Sequence, residues 1–120
     1  MPSRFGFSRS LRLSENRDIQ TVCQKGRKLT SPFMAIFSYQ NTFAHPRLCV
    51  SVSKKHVHKA TTRHKIKRII RESFRLNQYE LPPMDMVVII YKALGPQNSK
   101  VIREKIDEQW KRLNASRKKS

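Results

Sequence analysis

Apolar and polar positions change period several times along the chain, and each change marks an element. In SENRDIQTVCQKG, residues 14–26, Ile19, Val22 and Cys23 fall at i, i+3 and i+4. That spacing predicts a short amphipathic helix with Ser14 as cap, Glu15 and Asp18 in its first turn and Gly26 as its stop. FMAIFSY, residues 33–39, is dense in apolar and aromatic side chains without a helical stripe. RLCVSVS, residues 47–53, alternates Leu48, Val50 and Val52 with Cys49, Ser51 and Ser53. Both read as strands, joined through NTFAHP in a hairpin-like connection. MVVIIY, residues 86–91, is a continuous apolar run after the Pro82-Pro83 break, as expected of a central strand covered on both faces. From Ser99, the spacing of Ile102, Ile106, Trp110 and Leu113 predicts a last helix that leads into the basic tail RKKS. Residues 1–13 interleave Arg4, Arg9 and Arg12 with Phe5, Phe7, Leu11 and Leu13 without a period, an extended basic arm. No repeat or linker divides the chain, so one domain over residues 1–120 is expected, flexible at 1–13 and 114–120.

One segment stands apart. In RHKIKRIIRESFR, residues 63–75, Ile66, Ile69, Ile70 and Phe74 share one stripe of a helix, and His64, Lys67, Arg68, Arg71 and Arg75 share the opposite side. The apolar stripe fixes the helix to a sheet, and the other side presents about three turns of cations. Between residues 54 and 75 nine bases (Lys54, Lys55, Lys59, Arg63, Lys65, Lys67, Arg68, Arg71, Arg75) face one acid, Glu72, a local charge of +8. Like charges at i, i+3 and i+4 each cost a bare helix a few tenths of a kcal/mol. A face without alternating acids is therefore a local conflict that binding an anion resolves. Strand, basic loop, basic helix and strand together form a β-α-β unit.

The whole chain extends this picture. It holds 26 Lys and Arg against 8 Asp and Glu, a formal charge of +18, and its isoelectric point is near 10.9. A polyanion is the expected partner, and nucleic acid leads because phosphate contacts release condensed counterions. No run approaches the roughly 18 apolar residues of a membrane span, and MPSRFGFSRSLRL lacks the apolar centre of a signal peptide. A cytoplasmic protein with two reduced thiols, Cys23 and Cys49, is expected.

The stretch SVSKKHVHKATTRHKIKRIIRESFR resembles the protein subunit of bacterial ribonuclease P, whose signature is a Lys-Lys pair after a strand, then an Arg-Asn-Arg-x-Lys-Arg helix leading to Arg-Glu-x-Phe-Arg. HPRLCVSVS and ELPPMDMVVII are similar as well, so the specific likeness spans residues 45–91, with looser agreement in RLSENRDIQTVCQKG. The resemblance implies an α+β fold: a small mixed sheet packed with the basic helix through a left-handed β-α-β crossover, plus N-terminal and C-terminal helices. It implies a subunit that binds a catalytic RNA and the 5′ leader of precursor tRNA, lowering the demand for Mg²⁺. Hydrolysis would be carried by the RNA with its Mg²⁺, with no organic cofactor, no membrane and no obligate protein partner. By position, Lys54, Lys55, Lys59, Arg63, His64, Lys65, Lys67, Arg68, Arg71 and Arg75 would contact RNA. Ile19, Phe33 and Phe37, with Arg12 nearby, would line a cleft for the single-stranded leader.

Two departures stand out. The Arg-Asn-Arg element is Arg63-His64-Lys65, which replaces an amide with an imidazole and a forked guanidinium with a point charge. The aromatics of the family's first helix are Ile19 and Cys23, which pack but stack on bases less well. No catalytic residue and no metal site are expected in the chain itself. Its eight acids form no DxD or HExxH pattern, and His56 and His58 lie among Lys54, Lys55 and Lys59, which repel cations. A ribosomal-type structural RNA-binding protein shares this basic design but predicts no preference for a 5′ leader. An anionic-membrane binder would need its apolar stripe exposed, whereas here the sheet takes it.

Overall fold

A computed structural model describes residues 11–31, 33–43, 45–91 and 99–119. The order is α1 (Asn16–Lys25), β1 (Arg27–Thr30), β2 (Met34–Gln40), β3 (Arg47–Val52), α2 (Ala60–Asn77), β4 (Met84–Ile90) and α3 (Ser99–Lys119). The four strands form one mixed sheet in the order β1-β2-β4-β3, an α+β fold. β4 is central, as its uninterrupted apolar run requires, and pairs antiparallel with β2 and parallel with β3. The hairpin expected between β2 and β3 does not form, because β4 lies between them. Parallel pairing of β3 with β4 demands a crossover, which α2 supplies.

Alternation along the strands sorts side chains to two unlike faces. Ile36, Leu48, Val50, Val52, Met86, Val88 and Ile90 point into the main core, where Ile66, Ile70 and Phe74 of α2 and Ile102, Ile106, Trp110 and Leu113 of α3 cover them. Ser73, fully buried on α2, donates to Asp107 and accepts a 2.9 Å bond from the Trp110 indole, which ties the two helices together. On the other face Val87 meets Leu13 and Val22, with Ile19, Cys23, Phe37, Cys49 and Ile89 only half-buried around them. α1 is the only described helix packed there, so much of that face stays open.

The C-terminal end of α1 is set by a close backbone approach. Its N-cap is Glu15 instead of Ser14, and no side chain caps it. At its C-terminus the Gly26 amide bonds Val22 O at 2.9 Å, and a Cβ on Gly26 would come 2.5 Å from Ser38 O. Only glycine lets the chain turn here from α1 into β1. Residues 1–10 of the expected arm lie outside the described residues, but Arg12 bridges Leu48 in parallel and Leu13 N–H bonds Leu48 O at 2.9 Å, so the segment runs beside β3. The helical backbone of α3 continues to Lys119, through the stretch expected to be a tail.

An ion network fastens α1 to the sheet. Arg47 on β3 donates from Nε and Nη2 to both Asp85 oxygens at 2.8 and 2.7 Å, and its Nη2 lies 3.4 Å from Asp18 of α1. Asn41 donates to the same Asp85 at 2.9 Å. The Asp85 bonds, foremost, raise the Arg47 pKa against the opposing effect of burial. Breaking a buried pair by removing one partner costs about 3–5 kcal/mol because a charge is left uncompensated. Arg47→Ala is therefore expected to lower unfolding stability by about 3 kcal/mol in denaturant titration. Replacing Arg47 and Asp85 together should lose less than the single variant, and a single-variant loss below about 1 kcal/mol would remove the pair from this role.

Candidate nucleic-acid interface

The basic segment arrives as a loop and then a helix. Val57 is buried and bonds Ser53 O through its amide at 2.9 Å, anchoring a loop from which Lys54, Lys55, His56, His58 and Lys59 project into solvent. α2 begins after Lys59, which makes no side-chain cap, and its first turn carries no acid. A helix N-terminus is the positive end of the dipole and favours anions, so a cap of bases there is the inverse of a self-sufficient helix.

Arg63, expected to contact RNA, has its Nη1 turned back to the loop. It donates to Val57 O and His58 O, each at 2.8 Å, and closes the loop against the helix. His64 and Arg68 are exposed, while Lys65, Lys67, Arg71 and Arg75 are half-buried. Glu72, the single acid of the segment, reaches Arg103 of α3 at 3.5 Å.

Lys67 and Arg71 lie along the flank of α2 that overhangs the β3 edge, close enough to act on the Cys49 thiol of the open sheet face. Burial pushes that thiol up, Cys23 adds to the effect, and Arg71 and Lys67 oppose it. Burial, then the neighbouring Arg12 cation, lowers the Arg71 pKa. A guanidinium keeps its proton regardless. The lowering reflects burial first and the nearby Arg12 charge second. Arg12, Lys67 and Arg71 thus meet beside Cys49, at the border between the basic helix and the open face.

That face carries the rest of the predicted cleft, with one correction. Ile19 and Cys23 of α1 and Phe37 of β2 stand around the same small cluster, and Lys28 on β1 lies 5.5 Å from the Phe37 ring centre. Phe33 does not join them. It is buried in the main core with Lys105 of α3 5.1 Å from its ring centre, and its carbonyl accepts from Tyr91 N–H at 3.1 Å. The bend before β2 turns Phe33 out of the alternation that its position relative to Phe37 suggests.

Sequence reading missed β1, a four-residue basic edge strand without apolar alternation, and with it Lys28 as a wall of this face. It also missed Arg47 as the residue that holds α1, since a lone Arg at a strand start carries no signal of partners far along the chain. Among the described residues no three His, Cys, Asp or Glu stand together to hold a metal, and no helix is long and apolar enough to cross a membrane. The arrangement offers cations, a shallow half-apolar face and an aromatic ring.

Known proteins share this design. The family model for Ribonuclease P matches residues 7–114. The ribonuclease P protein components of Photorhabdus laumondii and Pasteurella multocida are each 38% identical over 109 residues, which cover 91% of this chain and 92% of theirs. The structure of the Staphylococcus aureus RNase P protein superposes with a TM-score of 0.78 at 29% identity, covering 86% of this chain and 94% of that one. The RNase P protein from Thermotoga maritima gives 0.74 at 33% identity, covering 84% and 96%. The chain therefore belongs to the ribonuclease P protein family and is part of an RNA-containing endoribonuclease complex that processes tRNA.

Proposed function

We propose that the protein acts in the cytoplasm by clamping two strands of RNA at once, the catalytic RNA of ribonuclease P along its basic loop and helix, and the single-stranded 5′ leader of precursor tRNA across its open sheet face. The observation that carries this reading is continuity: Arg12, Lys67 and Arg71 border the same half-buried face that holds Phe37, Cys49 and Ile89. Cations on one side bind phosphates of a folded RNA, and the ring of Phe37 offers a face to an unpaired base. Mature tRNA lacks the leader and loses the second contact, so precursor is favoured over product.

Hydrolysis of the phosphodiester belongs to the RNA with its Mg²⁺ in this reading. Four of the eight acids are already engaged, Asp18 and Asp85 with Arg47, Asp107 with Ser73 and Glu72 with Arg103, and among the described residues no three His, Cys, Asp or Glu stand together to hold Mg²⁺. The protein lowers the Mg²⁺ demand by adding fixed positive charge where two polyanions converge. It needs no protein partner for this.

The direct test is cleavage of precursor tRNA at limiting Mg²⁺ by a bacterial ribonuclease P RNA. Adding the protein should restore accurate 5′ cleavage, and the protein alone should show none. Binding of the RNA with cleavage unchanged would favour a purely structural RNA-binding role.

Salt dependence separates two kinds of basic residue. With about five to eight phosphates neutralised, the logarithm of the binding constant should fall against the logarithm of salt with a slope of roughly 0.7–0.9 per contact. Arg68→Ala removes an exposed side chain, so the fold should persist and the slope should fall by about one contact. Arg63→Ala should do more, because it frees the loop that carries Lys54, Lys55 and Lys59. A fall of several contacts with faster amide exchange at residues 54–59 is expected, and a one-contact fall with the loop still protected would return Arg63 to the role of simple phosphate ligand.

A further inference from the structure

The open face does not end at Phe37. Two residues further along β2, about 7 Å at strand rise, Tyr39 points to the same side and begins a hollow of about 300 Å³. The hollow lies between the first turn of α1 and the loop that follows β2, walled by Asp18, Tyr39, Asn41, Phe43, Arg47 and Asp85. A single water needs an order of magnitude less room, so the space suits a ring system.

Its chemistry differs from everything around it. Two carboxylates and one guanidinium give the walls a local charge of −1 inside a chain of +18. A phosphate is repelled there, while a group that donates N–H bonds is welcome. Asp85 has both oxygens engaged by Arg47 and one also by Asn41, whereas Asp18 meets Arg47 at 3.4 Å through one oxygen and its side chain is 36% exposed. The acceptor offered to a ligand is thus Asp18. Aromatic surface is unusually open here: Tyr39 is 39% and Phe43 48% exposed. Phe43 is nevertheless fixed, with the Arg47 guanidinium 4.4 Å from its ring centre and the His45 ring stacked at 6.0 Å. A large apolar ring held in place and half in water is arranged for contact with a flat partner.

We propose that this hollow is a base-recognition subsite that takes one unpaired RNA base bearing an amino group, adenine, cytosine or guanine, and disfavours uracil, whose one N–H on that edge is flanked by two carbonyl oxygens that a carboxylate repels. The base lies against Tyr39 and Phe43 and donates from its amino group to Asp18. This rests on the reading that a single strand crosses the open face, and it places a second base contact one step beyond Phe37 along that path. Affinity comes from the basic flank and sequence preference from the hollow, a separation of phosphate positioning from base reading.

The test uses the complex reconstituted with a bacterial ribonuclease P RNA and precursor tRNAs carrying each of the four bases at each leader position, read as kcat/KM. One leader position should show uridine disfavoured about fivefold or more, as one good polar base contact predicts. Asp18→Asn, which replaces an acceptor oxygen with a donor, should flatten or invert that preference. Tyr39→Leu, at an exposed site that leaves the fold intact, should lower kcat/KM for every leader that carries a base at that position and leave unchanged a leader with an abasic residue there. A leader-dependent enzyme with no uridine penalty at any position, or with a penalty untouched by both variants, would overturn the subsite alone. Absence of any leader dependence in the wild type would overturn the functional reading and the subsite with it.

Discussion

A chain with 26 bases and 8 acids must fold against its own charge, and where the acids sit decides how. Four of them tie one element to another. Asp85 on β4 and Asp18 on α1 converge on Arg47 of β3, Asp107 on α3 accepts from Ser73 of α2, and Glu72 on α2 reaches Arg103 of α3. These contacts differ in worth. The Glu72 pair is exposed and contributes about 1 kcal/mol at most, while the Arg47 pair is buried and strongly destabilising to break. Those four acids are thereby occupied in holding the frame.

The two sheet faces follow from this frame. α2 and α3 close one face with large apolar side chains. α1 lies across the other face and is fastened at its first turn by Asp18, which leaves the strip from Phe37 to Ile89 half-covered. An apolar strip of that kind beside Arg12, Lys67 and Arg71 has the two properties a single strand requires, surface for bases and charge for phosphates. Moving α1 away would expose the cluster of Leu13, Val22 and Val87 to water, so the groove and the stability of the fold depend on the same ion network.

Much of this was legible in the sequence because it is local. The stripe of Ile66, Ile70 and Phe74, the apolar run of β4 and the spacing of Ile102, Ile106 and Trp110 each sit within one or two turns or one strand, and each appears where the pattern put it. What failed was non-local or conformational. Pairing of β2 with β4 joins residues about 50 positions apart, such as Phe37 and Val87, and chain order alone suggested β3 instead. Phe33 has the parity of Phe37, but the bend before β2 breaks the alternation. Arg63 looks like any cation of its helix until the loop carbonyls in front of it are placed.

The two departures from the family pattern acquire physical meaning in the fold. Ile19 and Cys23 pack against Leu13, Val22 and Val87, so the replacement of aromatic rings on α1 keeps the hydrophobic contact while removing stacking surface from that wall. Phe37 is then left as the aromatic side chain of that half-buried cluster, and the exposed rings of Tyr39 and Phe43 stand further along the same path. His64 is exposed on the outer side of α2, where an imidazole stands in place of the amide of the family pattern. Lys65 brings a compact charge where a guanidinium would bring a fork, so a point charge replaces a set of directed donors at the start of this helix. In the proposed reading, both changes move recognition away from α1 and from the helix start, toward the sheet face and the loop that follows β2.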